Sequence, residues 1–353
     1  MTTSTGKLGV GVLGGGGEAA EGHIRGFQSD ARAQVVALWD IDQAKVSAQA
    51  ARLGVSQVCS TMEELLGNAA IDIIAVCTPD HLHAEHALAA LAAEKHVLCE
   101  KPMCTTRRDA AELVRAVRSA GKVFLAGHNY HFVPHYRAMA EAYRSGEIGQ
   151  VWLAEGDYIS NLHEFYAGRT PWRSDATAAQ DILMGGGCHP LGLMCWAMRS
   201  KVTEVFAYSN HLSEKLLPLD DAYVMALKFD NGAMGKLIAA SGNRGYAPTG
   251  GHLVLYGTQG TIWGGKLYRQ DPSTHQNQVV RDFRAELAHL RPRVADTKQV
   301  HYWAEQAEHF LDCVQGRSEP QMSVLDAARV VAALEAGVRS ARSGQPVAVD
   351  NQF

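Results

Sequence analysis

The feature that most limits the fold is the run Leu8-Gly-Val-Gly-Val-Leu13, followed at once by Gly14-Gly-Gly-Gly17 and an alanine-rich stretch through Phe27. A short apolar run, a glycine turn and a helical segment read as a strand–turn–helix unit, the opening of a βαβ fold. Glycines let the backbone approach a pyrophosphate, and the helix that follows offers unpaired N–H groups and the positive end of its dipole. Two registers of the GxGxxG/A spacing fit: Gly14, Gly16 and Ala19 suit the strand, while Gly15, Gly17 and Ala20 suit the distance to His23. A plain flexible turn would use the same residues, so the rest of the half-chain has to supply the context.

It does so in the next strand, Gln34 to Asp40, which ends on an acid about twenty residues after the glycines, where a ribose-binding carboxylate belongs. Asp40 would accept hydrogen bonds from ribose hydroxyls and repel a 2′-phosphate, which favours NAD over NADP. Strands and helices then alternate. Helices are expected at Gln43 to Leu53, Met62 to Leu66, His83 to Glu94 and Arg107 to Ser119, and strands at Ile71 to Cys77 and Lys122 to Gly127. That pattern is a doubly wound parallel sheet. Within it, His96-Val-Leu-Cys-Glu-Lys-Pro102 is a strand that stops on a charged pair, and the proline ends its ladder. Glu100 and Lys101 thereby stand at a strand's carboxyl end, where open α/β sheets bind ligands, although a surface ion pair closing a strand would look the same locally. His81, His83 and His86 have no carboxylate or cysteine at metal-ligand spacing, so no metal is expected and they mark a helix start.

After Gly127 the pattern changes to one helix, Pro134 to Ser145, and long alternating strands at Val151 to Ser160, Val202 to Ser209, Ala222 to Asp230, Ala233 to Ser241 and His252 to Tyr256. Asn231-Gly232 reads as a two-residue hairpin turn. The expected division is a nucleotide-binding domain over 1–128 and an α+β domain with a large, mainly antiparallel sheet over 129–353. Helices on one sheet face would leave the other for a subunit partner, so a homo-oligomer, dimer or tetramer, is expected. Gln270 to Thr297 is polar and reads as a long loop, and helices at Val300 to Gln315 and Leu325 to Ser343 finish the chain. Trp172-Arg173 and then Gly185-Gly-Gly-Cys-His-Pro190 precede a helix through Met198. His189 is the side chain there that titrates near neutral pH, and it could be a catalyst or only a helix cap.

Composition narrows the partners. A net charge of -4 and a pI near 6.5 argue against general affinity for nucleic acid or anionic membrane. No apolar run reaches the roughly 18 residues of a membrane helix, and the N-terminus lacks a secretory h-region, which points to the cytoplasm. Seven cysteines without a CxxC pair fit reduced thiols.

Taken in order, Gly14-Gly-Gly16, Asp40, Thr78-Pro79 with His83, Glu100-Lys101-Pro102, Gly127-His-Asn129, Trp172-Arg173 and Gly187-Cys-His189 resemble the Gfo/Idh/MocA oxidoreductases, the family of glucose–fructose oxidoreductase and inositol dehydrogenase. The resemblance covers nearly the whole chain. It implies a Rossmann domain followed by a largely antiparallel α/β domain, and NAD-dependent hydride transfer at a secondary alcohol or ketone of a sugar, glycoside or cyclitol. It further implies that Lys101 and His189 are catalytic. Gly14, Gly16, Asp40, Thr78, Pro79, His83, Glu100, Lys101, Asn129, Trp172 and Arg173 would lie around the cofactor. A redox-neutral glycosidase retaining NAD and a non-catalytic sugar sensor are the alternatives on the same fold. Two departures stand out: family members usually carry aspartates four residues before and three after the catalytic histidine, where this chain has Gly185 and Gly192. Ala179-Gln180-Asp181 also stands where the family's glycine triplet begins, and Asp181 is the nearest substitute carboxylate in sequence.

Overall fold

A computed structural model describes residues 6–178, 180–245, 250–294 and 301–353, with backbone alone for 250–252. They form two compact units, Met1–Phe132 with Arg291–Ala328 and Phe353, and Val133–Leu290 with Arg329–Gln352.

In the first unit the chain runs β1 (Leu8–Leu13), α1 (Glu18–Gln28), β2 (Ala33–Trp39), α2 (Gln43–Leu53), β3 (Gln57–Val58), α3 (Met62–Leu66), β4 (Ile73–Val76), α4 (His83–Ala92), β5 (His96–Cys99), α5 (Arg107–Ala120) and β6 (Phe124–Ala126). All strand pairs are parallel and the order is β3-β2-β1-β4-β5-β6. The order reverses between β1 and β4, which opens a crevice at the carboxyl ends of the strands. Val10, Val12, Ile73, Ile74, Val97 and Leu98 are fully buried, as a sheet covered by helices on both faces requires. Polar caps set the helix starts: the side chains of Asp42, Thr61 and Thr106 accept the N–H groups of Lys45, Glu64 and Asp109.

A single cut after residue 128, expected from the change of pattern, does not describe the division. Residues 291–328 return to the first unit because the helix Trp303–Val314 packs on α1. Its Trp303 ring meets His23 edge-on at 4.6 Å, and Phe310 meets Phe27 at 6.4 Å. Gly22 makes room for this contact, since a Cβ there would lie 2.4 Å from the Trp303 ring. Phe310 is fully buried. Phe310→Ala is expected to lower unfolding free energy in denaturant by roughly 3–5 kcal/mol. A loss under about 1 kcal/mol would show that the returning helix adds nothing to this core.

The second unit continues with α6 (Pro134–Arg144), β7 (Val151–Ile159), α7 (Cys188–Met198), β8 (Val202–Asn210), β9 (Ala222–Phe229), β10 (Met234–Ala240), β11 (Gly250–Gly257), β12 (Thr261–Trp263), β13 (Lys266–Gln270), β14 (Asn277–Asp282) and α8 (Phe283–Glu286). The returning helix is α9, and α10 (Val324–Ser343) and β15 (Val347–Ala348) close the chain. The sheet order is β14-β13-β12-β11-β7-β10-β9-β8-β15, antiparallel except where β7 lies parallel to β10. Along β9 Tyr223, Met225, Leu227 and Phe229 are buried and Val224, Ala226 and Lys228 exposed, so one sheet face carries the core.

Two expectations need correction here. The β9–β10 loop has three residues rather than two: Phe229 donates to Ala233 O, and only Gly232 is left-handed (φ +87°), where a two-residue turn needs two such residues or a first-position glycine. The polar stretch from Gln270 is not a long loop but holds the β13–β14 hairpin and α8, with residues 295–297 outside the described ones. Among the described residues β14 pairs only with β13, and it is mostly exposed, so its side chains show no apolar alternation. Val300, the expected start of the next helix, also lies outside the described residues; the helix itself begins at Trp303.

Candidate active site

The glycine turn is shaped by three strands. Gly14 ends β1 with φ +77°, and the Gly14 and Gly15 N–H groups both donate to Trp39 O at 2.9 Å. A Cβ on Gly14 would lie 2.7 Å from the Cys77 carbonyl and the Thr78 nitrogen, so the backbone fills a space no side chain could share. Gly17 caps α1 without a side-chain hydrogen bond, and a helix start of this kind suits an anion. Both registers hold in part. Gly14 makes the tight turn of the first, whereas Ala20 of the second is fully buried on α1. Asp40 follows β2, and its carboxylate accepts the Gly16 N–H at 2.9 Å and the Asp42 N–H at 3.0 Å. A close backbone cradle, uncapped helix donors and an acid beside them fit the pyrophosphate and ribose of a dinucleotide.

The loops after β4, β5 and β6 meet the same edge. Thr78 is buried, with its Oγ1 2.9 Å from His86 Nδ1, and Pro79 leads into a short 3-10 turn, Asp80–Leu82. His83 opens α4 with Nε2 2.7 Å from Thr78 O and Nδ1 2.7 Å from Pro102 O. Both ring nitrogens are therefore engaged by backbone carbonyls, so this side chain ties the β4 loop to the Lys101–Pro102 loop rather than offering a nitrogen to a ligand. The Lys101–Pro102 bond is cis.

Glu100 is buried, with Oε1 2.7 Å from His23 Nε2 on α1 and Oε2 accepting the Lys101 N–H at 3.1 Å. Burial pushes its carboxyl up, but the His23 hydrogen bond and the charges of His23 and Lys101 outweigh burial and hold it at about 2. It is a carboxylate at neutral pH. Asn129 is buried with no hydrogen-bond partner for Oδ1, a polar atom that awaits a donor. Burial, with the Lys101 charge, pushes neighbouring His128 down to about 4, so this ring is neutral at pH 7. Gly14, Gly16, Asp40, Thr78, Pro79, Glu100, Lys101 and Asn129 thus converge at the carboxyl ends of the parallel strands.

Trp172, Arg173 and His189 all lie in the second unit. A π-helical run, Leu183–Gly187, leads into α7, and His189 is buried with its ring stacked on Tyr158 at 5.7 Å and 13°. Gly186 accommodates Tyr158, whose ring would lie 2.5 Å from a Cβ there. A Cβ on Gly185 would be 2.9 Å from Arg173 Nη1 and 3.6 Å from Gln180 Nε2. The guanidinium lies 4.3 Å from the Trp172 ring and 5.9 Å from Phe165. Beside Gly185, where a family aspartate was expected, the structure thus places the end of the Arg173 side chain. Asp181 accepts the Tyr223 hydroxyl from β9, and burial raises its carboxyl above the ordinary range. Ala179 lies outside the described residues.

Sequence reasoning did not single out His23, Tyr158 or Gln180 as site residues. His23 carried a signal, a polar residue on the apolar face of α1 between buried Gly22 and Ile24, whereas Tyr158 and Gln180 meet the site only through the fold. Among the described residues no group of histidine, cysteine, aspartate and glutamate could hold a metal ion. No helix among them is long and apolar enough to cross a membrane.

Comparison with known proteins agrees with this fold. Residues 8–128 match a family described as oxidoreductase, NAD-binding Rossmann fold, and residues 136–263 match the GFO/IDH/MocA C-terminal domain. A 1,5-anhydro-D-fructose reductase of Ensifer adhaerens is 28% identical over 68% of this chain and 70% of its own. An inositol 2-dehydrogenase of Acidothermus cellulolyticus is 28% identical over 96% of this chain and 94% of its own. A levoglucosan dehydrogenase solved with NADH shares the fold, with a TM-score of 0.86 at 21% identity over 98% of this chain and 99% of that one.

Proposed function

The chain belongs to the GFO/IDH/MocA family of NAD-binding oxidoreductases, and on that premise we propose that it oxidises a secondary alcohol of a sugar, glycoside or cyclitol, or reduces the matching ketone. The observation that carries this reading is the Glu100–Lys101 pair at the carboxyl end of β5, with Glu100 buried, ionised and anchored by His23. Relatives named as an anhydrofructose reductase and an inositol 2-dehydrogenase support the substrate class.

NAD, when bound, supplies the acceptor for the hydride that leaves the carbinol carbon. The residues of this chain would do the rest. Gly14, Gly16 and the start of α1 would hold the pyrophosphate, and Asp40 the ribose. Thr78, Pro79 and Asn129 would line the nicotinamide end, with Trp172 beside it. His189 would take the hydroxyl proton while Lys101 stabilises the developing alkoxide. At a separation of about 3 Å and an effective dielectric near 20, the raw Coulomb term is on the order of 5 kcal/mol, large enough to survive heavy discounting. The test is a panel of sugars and inositols with NAD, followed by NADH absorbance. Steady NADH formation with one group of polyols is expected, and none with any of them would overturn the reading.

Asp40 also sets the cofactor preference. NAD is expected to give the higher kcat/KM, and Asp40→Ser is expected to narrow the gap by removing the charge that repels a 2′-phosphate. A native protein that prefers NADP would contradict this role. A homo-oligomer in the cytoplasm completes the proposal, with Trp152, Tyr208, Val224 and Met234 exposed on strands of the large sheet.

A further inference from the structure

We propose that a cavity at the amino ends of the parallel strands binds a small zwitterion, an α-amino acid with an apolar side chain, whose carboxylate meets Lys122 and His96 and whose ammonium meets Glu94. Every residue that lines it belongs to the first unit, and none belongs to the reacting centre, so the site stands independently of the dehydrogenase reading.

Four observations carry it. First, the cavity measures about 480 Å³, a size that suits a small molecule, and Leu8, Ile71, Ala93 and Val314 give it an apolar lining. Leu8 opens β1, Ile71 precedes β4 and His96 opens β5, so the cavity lies at the edge of the sheet opposite the dinucleotide crevice. The length of β5 separates His96 from Glu100 by roughly 13 Å at the usual rise per residue. Second, two charged residues are spent on holding the lining in place. The Lys95 ammonium donates to Ile71 O at 2.8 Å and Asn68 O at 3.2 Å, and Asp72 Oδ2 accepts the Gly9 N–H at 2.9 Å. Third, other polar groups that line the cavity are not used this way. Among the described residues the Lys122 and Glu94 side chains have no hydrogen-bond or ion-pair partner, neither each other nor any other group. His96 Nδ1 accepts the Val123 N–H at 3.0 Å, which puts the proton of the neutral ring on Nε2. Burial and the Lys122 charge push this ring below its ordinary range, so at pH 7 it is a neutral Nε2–H donor. Fourth, α2 and α5 end on left-handed glycines, Gly54 (φ +68°) and Gly121 (φ +62°), whereas the end of α4 holds Glu94 at φ +58°. That conformation crowds a Cβ and usually selects glycine, so the glutamate is kept against the local preference. The carboxyl ends of α4 and α9 border the cavity at Ala93 and Val314, and the negative ends of their dipoles favour an ammonium there. An unpaired base and an unpaired acid in one cavity suit a ligand that carries both charges. A simple anion would meet Glu94, and a simple amine would meet Lys122.

The experiment measures calorimetric Kd values on the full, NAD-loaded protein with leucine and three analogues. These are 4-methylpentanoate, which lacks the amine, 3-methylbutylamine, which lacks the carboxylate, and glycine, which lacks the apolar side chain. Leucine is expected to bind roughly tenfold or more tightly than each of them, the scale of one lost hydrogen bond to a charged group or one lost apolar side chain. Lys122→Gln should weaken leucine binding by a similar factor and leave 3-methylbutylamine unchanged. Glu94→Gln should weaken leucine likewise and leave 4-methylpentanoate unchanged. Circular dichroism identifies a variant that does not fold, and Glu94→Gly, which suits the left-handed backbone, then tests the acid in its place. Absence of leucine binding, an analogue that binds as tightly as leucine, or leucine affinity unchanged in either folded variant would each overturn the site. Leucine binding that disappears when NAD is present would also overturn it, by placing the amino acid in the cofactor crevice.

Discussion

Lys101→Ala is expected to lower kcat by roughly two or more decades while changing the affinity for NAD little. The asymmetry follows from the proposed contact. An ammonium beside a hydroxyl gains little, whereas beside an alkoxide it gains strongly, so the loss falls on the transition state rather than on the bound ground state. Glu100 keeps its own anchor in such a variant, because His23 Nε2 lies 2.7 Å from Oε1 independently of the lysine side chain. A collapse of the loop is therefore not the expected cause of the loss, and NAD affinity provides the control. Near-normal turnover would reduce Lys101 to a charge that ends a strand.

The second large effect is expected at His189. A general base contributes about two to four decades, so His189→Ala should remove most activity. Because a base must be unprotonated to work, the native kcat/KM should fall as pH drops, and that acid limb should vanish in the variant. Asp181→Ala should cost far less, since the Asp181 carboxylate accepts the Tyr223 hydroxyl. Equal and severe losses in both variants would make Asp181 part of the proton relay. An unchanged pH profile in His189→Ala would take the histidine out of the mechanism.

Much of this fold was legible because local chemistry and tertiary structure agree. β1, α2, α3 and the start of β5 fall where apolar runs and caps put them, since parallel strands buried on both faces leave an unbroken apolar signature. Gly14 was legible because a turn that excludes a Cβ can hold only glycine, and Asp40 because an acid at the end of the second strand reaches back to the Gly16 N–H. What escaped depends on contacts distant in sequence. The return of Trp303–Val314 to α1 is encoded in Gly22 and Gly26, whose missing side chains mean nothing until Trp303 is beside them. β14 pairs at an edge with polar residues facing solvent, so periodicity could not mark it. The parallel pairing of β7 with β10 joins strands far apart in sequence, and nothing local distinguishes it from another hairpin. At the site, the sequence showed that aspartates were missing at Gly185 and Gly192, but not that Arg173 would fill the space beside Gly185.

The most direct test of the central claim uses the best sugar or inositol from the NAD panel, labelled with deuterium at the carbinol carbon. The account predicts that NADH accumulates in step with the ketone, carries the deuterium at nicotinamide C4, and forms more slowly than with the unlabelled substrate. Ketone formation with no label in NADH would contradict direct hydride transfer, and cleavage of a glycosidic bond without net NADH would replace the dehydrogenase by a redox-neutral glycosidase.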